Sequence, residues 1–267
     1  MIHDKGEMST AVTLIIPAYN ENERIQSAVD NAVLLLEKTA PDYEIIIAED
    51  GSTDGTYEIS SLMAGRSSRI RLLHSDLRCG KGSALKRAIK AAKGDTIAFM
   101  DADMSTDISF LPALLDAIRL EGFDMAVGSR LISGMNIDRS RKRSFASKLY
   151  NSMVRLILGS GIYDHQCGFK AFRRGSVLVI LDRVKDERWF WDTEMLVRAQ
   201  REGYKIKEIP VSWRERSSTN LKFAQDGYEM GLNILKLWID INKKRKCLGL
   251  CKDDSVDGVM TYTKETR

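Results

Sequence analysis

The chain has 267 residues and a mass of 30.1 kDa; 43% of its residues are apolar and 29% charged, a globular composition that excludes disorder as its main state. Forty-one basic against 37 acidic side chains leave a net charge of +4, too slight to mark a nucleic-acid binder. The cysteines Cys79, Cys167, Cys247 and Cys251 are too scattered for a disulfide framework or a zinc module, and no apolar run approaches the roughly 20 residues that span a bilayer.

Residues 1–10 are polar, lack the apolar region of a signal peptide and are expected to be flexible. Val12–Ile16 is an apolar run of strand length, followed by helical spacing at Ile25, Ala28, Val29, Ala32, Val33, Leu35 and Leu36. Tyr43–Ala48 is a second strand, ended by Glu49-Asp50-Gly51-Ser52, and Ile70–Leu73 a third. A helix is expected over Ser83–Ala92, a fourth strand over Thr96–Met100, a helix over Phe110–Arg119 and a fifth strand over Met125–Val127. Continuous apolar strands separated by helices indicate an α/β fold with a mostly parallel sheet covered on both faces. Ligands of such sheets sit beyond the carboxyl ends of the strands.

The second half is less regular. The basic stretch Arg139–Lys148 precedes a helix through Leu158, Gly168–Phe172 reads as a strand, Asp192–Arg201 as a helix and Ile206–Trp213 as a strand. Met230, Leu232, Ile234, Leu235, Leu237, Trp238, Ile239 and Ile241 share a helix with a narrow polar stripe, and Lys243–Lys246 follows as a basic tail. That helix either packs on the sheet or lies at a membrane interface. The polar residues 251–267 are expected to be frayed.

Asp101-x-Asp103 follows the fourth strand directly. Taken alone the pair reads equally as two solvated loop acids or as ligands of a hard cation that in turn holds a diphosphate. Its place on the ligand side of the sheet favours the cation. Pro17-Ala18-Tyr19-Asn20-Glu21 and Glu49-Asp50-Gly51-Ser52 end the first two strands. They serve as tight turns, or as walls of a nucleoside pocket in which Asp50 accepts from the base and Tyr19 packs beside it. Gly80-Lys81-Gly82 offers backbone N–H groups to an anion at a helix start but lacks the upstream Gly of a P-loop. The histidines 3, 74 and 165 have no metal-ligand spacing, and His165 reads as a loop residue. Asp192 reads as a helix N-cap in preference to a supporting acid that faces the active site; Trp189, Phe190 and Trp191 fit either the core or a sugar or lipid contact.

These clusters together resemble the donor half of the inverting glycosyltransferases of family 2, which have the GT-A nucleotide-sugar-binding fold. Gly128-Ser129-Arg130 follows the fifth strand, and Asp164-His165-Gln166-Cys167-Gly168-Phe169-Lys170 is similar to the D-x-Q-C-G-F-K string of dolichyl-phosphate glucosyltransferases. Trp191-Asp192-Thr193-Glu194 and Glu208-Ile209-Pro210-Val211-Ser212-Trp213 continue the likeness in the expected order. The resemblance implies a glycosyltransferase domain over residues 11–225, with 226–250 forming the amphipathic helix and basic tail and 251–267 a flexible end.

The resemblance also implies roles. Pro17, Tyr19, Glu21, Ala48, Asp50, Lys81, Asp101, Ala102, Asp103 and Arg216 would bind the nucleotide sugar, with Lys222 assisting Arg216. Asp101, Asp103 and Ser105 would hold Mg²⁺ or Mn²⁺; related mannosyltransferases often carry Gln where Ser105 stands, which weakens a mannose assignment. Arg130, Arg143 and Ser147 would grip the acceptor phosphate, so Asp103, Arg130 and Arg143 are the candidate catalytic residues. The implied reaction is inverting transfer of a hexose, UDP-glucose favoured as donor, to a dolichyl or other polyprenyl phosphate. It would take place on the cytoplasmic face of a membrane with the protein bound peripherally. GDP-mannose or UDP-N-acetylglucosamine as donor remains open. So does a saccharide hydroxyl as acceptor, for which Asp192 or Glu194 would be the base, and so does a non-catalytic nucleotide-sugar-binding protein.

Overall fold

The computed structural model describes residues 12–132, 136–138, 140–215 and 223–250, the last of these by side chain only over 229–243. The expectations at Arg139, Arg216, Lys222, the side chains of Lys244–Lys246, and both termini lie outside the described residues. In chain order the elements are β1 Val12–Ala18, α1 Ile25–Thr39, β2 Tyr43–Glu49, α2 Thr56–Arg66, β3 Ile70–Leu73 and α3 Lys81–Ala91. Then come β4 Thr96–Met100, α4 Leu111–Arg119, β5 Met125–Ser129, β6 Ile137–Asp138, α5 Arg141–Leu158 and β7 Phe169–Arg173. The chain continues through α6 Arg174–Leu181, α7 Trp191–Arg201, β8 Ile206–Pro210, β9 Trp213–Arg214 and α8 Phe223–Leu250. The described residues fall into two compact units divided between residues 220 and 221, with α8 in the second. No helix among the described residues is long and apolar enough to cross a membrane.

Seven strands form one sheet in the order β3-β2-β1-β4-β7-β5-β8, in which only β7 runs antiparallel to its neighbours. The apolar strands alternate their side chains between two cores. Leu14, Ile16, Ile45 and Ile47 pack with Ile25, Val29, Leu114 and Ile118 from α1 and α4 on one face. Ile15, Ile46, Ile97 and Phe99 pack with Leu85, Ile89, Ile180 and Leu196 from α3, α6 and α7 on the other. The parallel register sets Pro17 beside Ala48 and Ala18 beside Glu49, so the first two strands end together. The loops after β1, β2 and β4 therefore share one rim.

Three sequence expectations need correction, and two helices were not expected. Ile206–Trp213 is not one strand: β8 ends at Pro210, and Trp213 and Arg214 form β9 beside β6. The basic stretch does not precede its helix, because Arg141–Lys148 makes the first two turns of α5, capped by the Ser140 hydroxyl on Arg143 N–H. α3 begins at Lys81 and not at Ser83. Two helices, α2 and α6, went unread: α2 buries Thr56, Ser60 and Met63, which make no apolar period, and the apolar run in α6 looks like a strand.

Candidate active site

The rim is built from loops that bind one another before they bind anything else. Asp50 is buried, and its two oxygens accept from Cys79 N–H (3.1 Å) and Gly80 N–H (2.7 Å), with Arg87 Nη2 3.5 Å away. The carboxylate expected to meet a nucleoside base thus already anchors the loop before α3. Ser83 N–H donates to the Glu187 carbonyl (3.0 Å). The start of α3, read as an open anion cradle, is therefore capped at both of these N–H groups. Gly80 and Gly82 are needed for the same reason, since a Cβ on either would fall within 3 Å of the backbone of Glu187.

Tyr19 carries the Arg78 guanidinium over its ring, 3.9 Å from the centroid. Arg78 escaped the sequence reading because nothing in its spacing marks it. Glu21 takes Arg24 at 3.1 Å, and its carboxyl titrates above the ordinary range because of burial, with the negative charges of Asp103 and Asp101 adding to the shift. These three acids feel one another, and a cation among them would relieve that repulsion.

Asp101 holds Lys81 Nζ at 2.5 Å, and Lys81 lies 5.7 Å from the Phe99 ring and 5.6 Å from the exposed Trp189 ring. Burial opposes the Lys81 charge, but Asp101, Asp192 and Asp103 outweigh it and raise its pKa. Asp103 accepts from both Ser105 N–H and Ser105 Oγ–H at 2.9 Å. The Ser105 hydroxyl, expected to ligate, thus stands against the Asp103 carboxylate. Among the described residues no group of three or more His, Cys, Asp or Glu side chains converges as a closed metal site. Two hard carboxylates already drawing an ammonium nevertheless fit Mg²⁺ or Mn²⁺, which keeps open positions for phosphate oxygens and water. Ala102, between them, is buried.

Gly168 explains how Asp101 is held. A Cβ at this position would stand 1.9 Å from Asp101 Oδ2, so the loop before β7 backs directly onto the carboxylate. Gly168→Ala is expected to push Asp101 aside and cut any metal-dependent activity at least about tenfold, with the sheet intact. Wild-type activity in that variant, measured beside an unchanged circular dichroism spectrum, would show that the Asp101 position is not critical.

Further along the rim two arginines are each paired with a carboxylate. Arg130 donates from Nε (2.7 Å) and Nη2 (2.9 Å) to Asp164, and its side chain is 9% exposed. Against burial, the Arg130 guanidinium holds the Asp164 carboxyl down at about 2. Glu208 accepts from Tyr163 and Asp164 N–H (2.9 and 3.0 Å) and fixes that loop, which gives the first residue of the later string a role. Arg143 reaches Glu215 from the first turn of α5. One turn on, Ser147 Oγ is buried with no hydrogen-bond partner among the described residues.

Three further sequence readings change. Asp192 is not an N-cap: it lies in the first turn of α7 and pairs with fully buried Lys170 at 2.6 Å. Glu194 is likewise committed, to Lys185 N–H, Asp186 N–H and Arg198, so neither acid stands free as a base. Phe190 and Trp191 belong to the core, whereas Trp189 is 60% exposed. His165 is no surface loop residue. It is fully buried, with Nδ1 2.8 Å from Asn151 Oδ1 and Nε2 2.8 Å from Ser160 Oγ.

Burial depresses the His165 pKa to about 4, so the unfolded chain binds a proton that the folded one rejects between there and about 6.5. Stability should therefore fall by about 2 kcal/mol from this group as pH drops from about 7 to about 5. His165→Gln should flatten that acid-side slope in urea unfolding. Parallel curves for the two proteins would rule out the imidazole as its source.

The profile of glycosyl transferase family 2 matches residues 13–181. Glycosyltransferase AglD of Haloferax volcanii is 45% identical over 229 residues, an alignment that takes in 85% of this chain and 37% of that protein. The chain thus spans little more than a third of the length of that relative. Dolichyl-phosphate beta-glucosyltransferase of Dictyostelium discoideum is 34% identical over 240 residues, 85% of this chain and 73% of its own; the human protein of that name is 29% identical over 238 residues, 84% and 74%. Among solved structures, Mycobacterium tuberculosis glucosyl-3-phosphoglycerate synthase, in a complex with Mn²⁺, UDP and its glucosyl product, superposes with a TM-score of 0.65. Its identity is 20%, over 86% of this chain and 79% of that one. The shared architecture is the GT-A fold.

Proposed function

The chain belongs to glycosyl transferase family 2, and on that premise we propose that it is a hexosyltransferase. It transfers glucose from UDP-glucose to a dolichyl or other polyprenyl phosphate with inversion at the anomeric carbon. The observation that carries this reading is the charge layout about Asp101. Lys81 pairs with Asp101, and on the same rim Arg130 pairs with Asp164 and Arg143 with Glu215. A donor diphosphate and an acceptor phosphate are both anions, and bringing them together requires cations on both flanks. The names of the relatives, dolichyl-phosphate beta-glucosyltransferases, support the same substrate class.

The donor lies over the β1, β2 and β4 ends, with its base between the Pro17–Glu21 loop and the Ala48–Asp50 strand end. Arg216 would contact its phosphates. Asp101 and Asp103, with Ser105 beside them, would hold Mg²⁺ or Mn²⁺, which when bound would supply positive charge to the diphosphate. Arg130, Arg143 and Ser147 bind the acceptor phosphate. A phosphate monoester has a second pKa near about 6, so the attacking oxygen is ionised at neutral pH and needs no base. That fits a site in which Asp192 and Glu194 are already occupied. A lipid acceptor places the protein on the cytoplasmic face of a membrane, where the Lys243–Lys246 end of α8 meets anionic headgroups.

The test is a panel of labelled donors with a short, detergent-solubilised polyprenyl phosphate and Mn²⁺. UDP-glucose should transfer best, ahead of GDP-mannose and UDP-N-acetylglucosamine. Donor binding without transfer or hydrolysis on any acceptor would identify a binding protein instead.

A further inference from the structure

α5 has two faces with different chemistry. Its inner stripe, Ser147, Tyr150, Asn151, Val154 and Leu158, is buried. Its outer face exposes Phe145 (69%), Leu149 (51%) and Leu156 (86%), at spacings of four and seven that bring them onto one line along the helix. Soluble surfaces carry single exposed apolar residues freely, but a row of large ones on one helix marks a contact surface. Arg141, Lys148 and Arg155 recur every seven residues and form a second row beside the first. The 18 residues of α5 include five basic side chains and no acidic one. Arg155 lies over the half-exposed Tyr163 ring at 4.2 Å, which adds an aromatic to the rim of this face.

We propose that the outer face of α5 docks on an anionic lipid surface, with Phe145, Leu149 and Leu156 entering the headgroup boundary and Arg141, Lys148 and Arg155 meeting the phosphates. An apolar row alone would suit a protein groove as well, but a flanking cationic row without a single acid is complementary to a uniformly negative sheet. The identity of that surface rests on the lipid-acceptor reading above. The placement then has a consequence: Arg143 and Ser147 are carried on the same helix, whose diameter is only about 10–12 Å. A lipid phosphate held by them need barely leave the bilayer.

The test compares the full chain with Phe145→Ser/Leu149→Ser/Leu156→Ser, which leaves α8 and every site residue untouched. The wild type should co-sediment with phosphatidylglycerol vesicles more than with phosphatidylcholine, and the variant's partition should fall at least about tenfold. Its thermal midpoint should stay within a degree or two, since all three side chains are exposed. Equal partition of the two proteins overturns the proposal, because α8 or diffuse charge then suffices. A wild-type dimer that the variant converts to monomer, with vesicle binding unchanged, also overturns it and assigns the face to a second copy. Transfer to detergent-solubilised polyprenyl phosphate should be alike in both proteins. Its absence in both would defeat the acceptor reading, while the vesicle comparison still decides the docking face.

Discussion

Asp103→Ala is expected to reduce sugar transfer at least about a hundredfold while leaving the chain folded, because its carboxylate serves charge and not packing. Its partners include the N–H and hydroxyl of Ser105, two residues away on the turn after β4, so its loss touches local polar contacts and no apolar core. Asp101→Ala should match the loss of activity but also cost stability. It strips the partner from Lys81, whose side chain is largely buried between Phe99 and Trp189. Activity and urea unfolding measured on both variants separate the two roles. Wild-type transfer by Asp103→Ala, or full activity in excess chelator, would remove the cation from the account.

Asp164→Ala should be the most damaging change to the fold of any at the rim. The Arg130 guanidinium loses two hydrogen bonds to Asp164 while remaining buried, and its backbone N–H loses a third contact to the same carboxylate. Leaving a buried charge uncompensated costs about 3–5 kcal/mol. The pair carries a pH signature as well. The Asp164 pKa sits near 2 in the fold against 3.8 in the free side chain, so its contribution is complete above about pH 4 and is lost as pH falls toward 2. Chemical denaturation of Asp164→Ala at neutral pH should show the loss. A change below about 1 kcal/mol would mean that Arg130 finds solvent or another acceptor, as a more open phosphate clamp would.

The parallel part of the sheet was legible because Val12–Ile16, Tyr43–Ala48 and Thr96–Met100 are continuous apolar runs that end in polar turns. Such runs suit only strands covered on both faces. The order of the strand-end clusters carried the family. What spacing could not carry was the partner of each charge. Asp50 meets Gly80 from 30 residues away, Lys170 meets Asp192 from 22, and Arg130 meets Asp164 from 34. The last two pairs exist because β7 inserts antiparallel between β4 and β5 and brings the 164–170 string to the rim. Nothing local in Asp192 distinguishes a helix cap from half of a buried ion pair. The outer face of α5 was half legible: its charges stood out as a run, but its apolar row emerges only once Arg141–Leu158 is seen to be one helix.

The central claim is that the acceptor is a phosphate and not a hydroxyl, and one competition tests it directly. The full chain is given labelled UDP-glucose, Mn²⁺ and equal amounts of a short polyprenyl phosphate and the corresponding polyprenol in detergent, and the products are separated after mild acid. A site with Lys81 on Asp101, Arg130 and Arg143 on the same rim and no uncommitted base at Asp192 or Glu194 should put the label into an acid-labile glucosyl phosphate, with none on the alcohol. Label in an acid-stable glucoside of the polyprenol, with the phosphate left unused, would contradict the account.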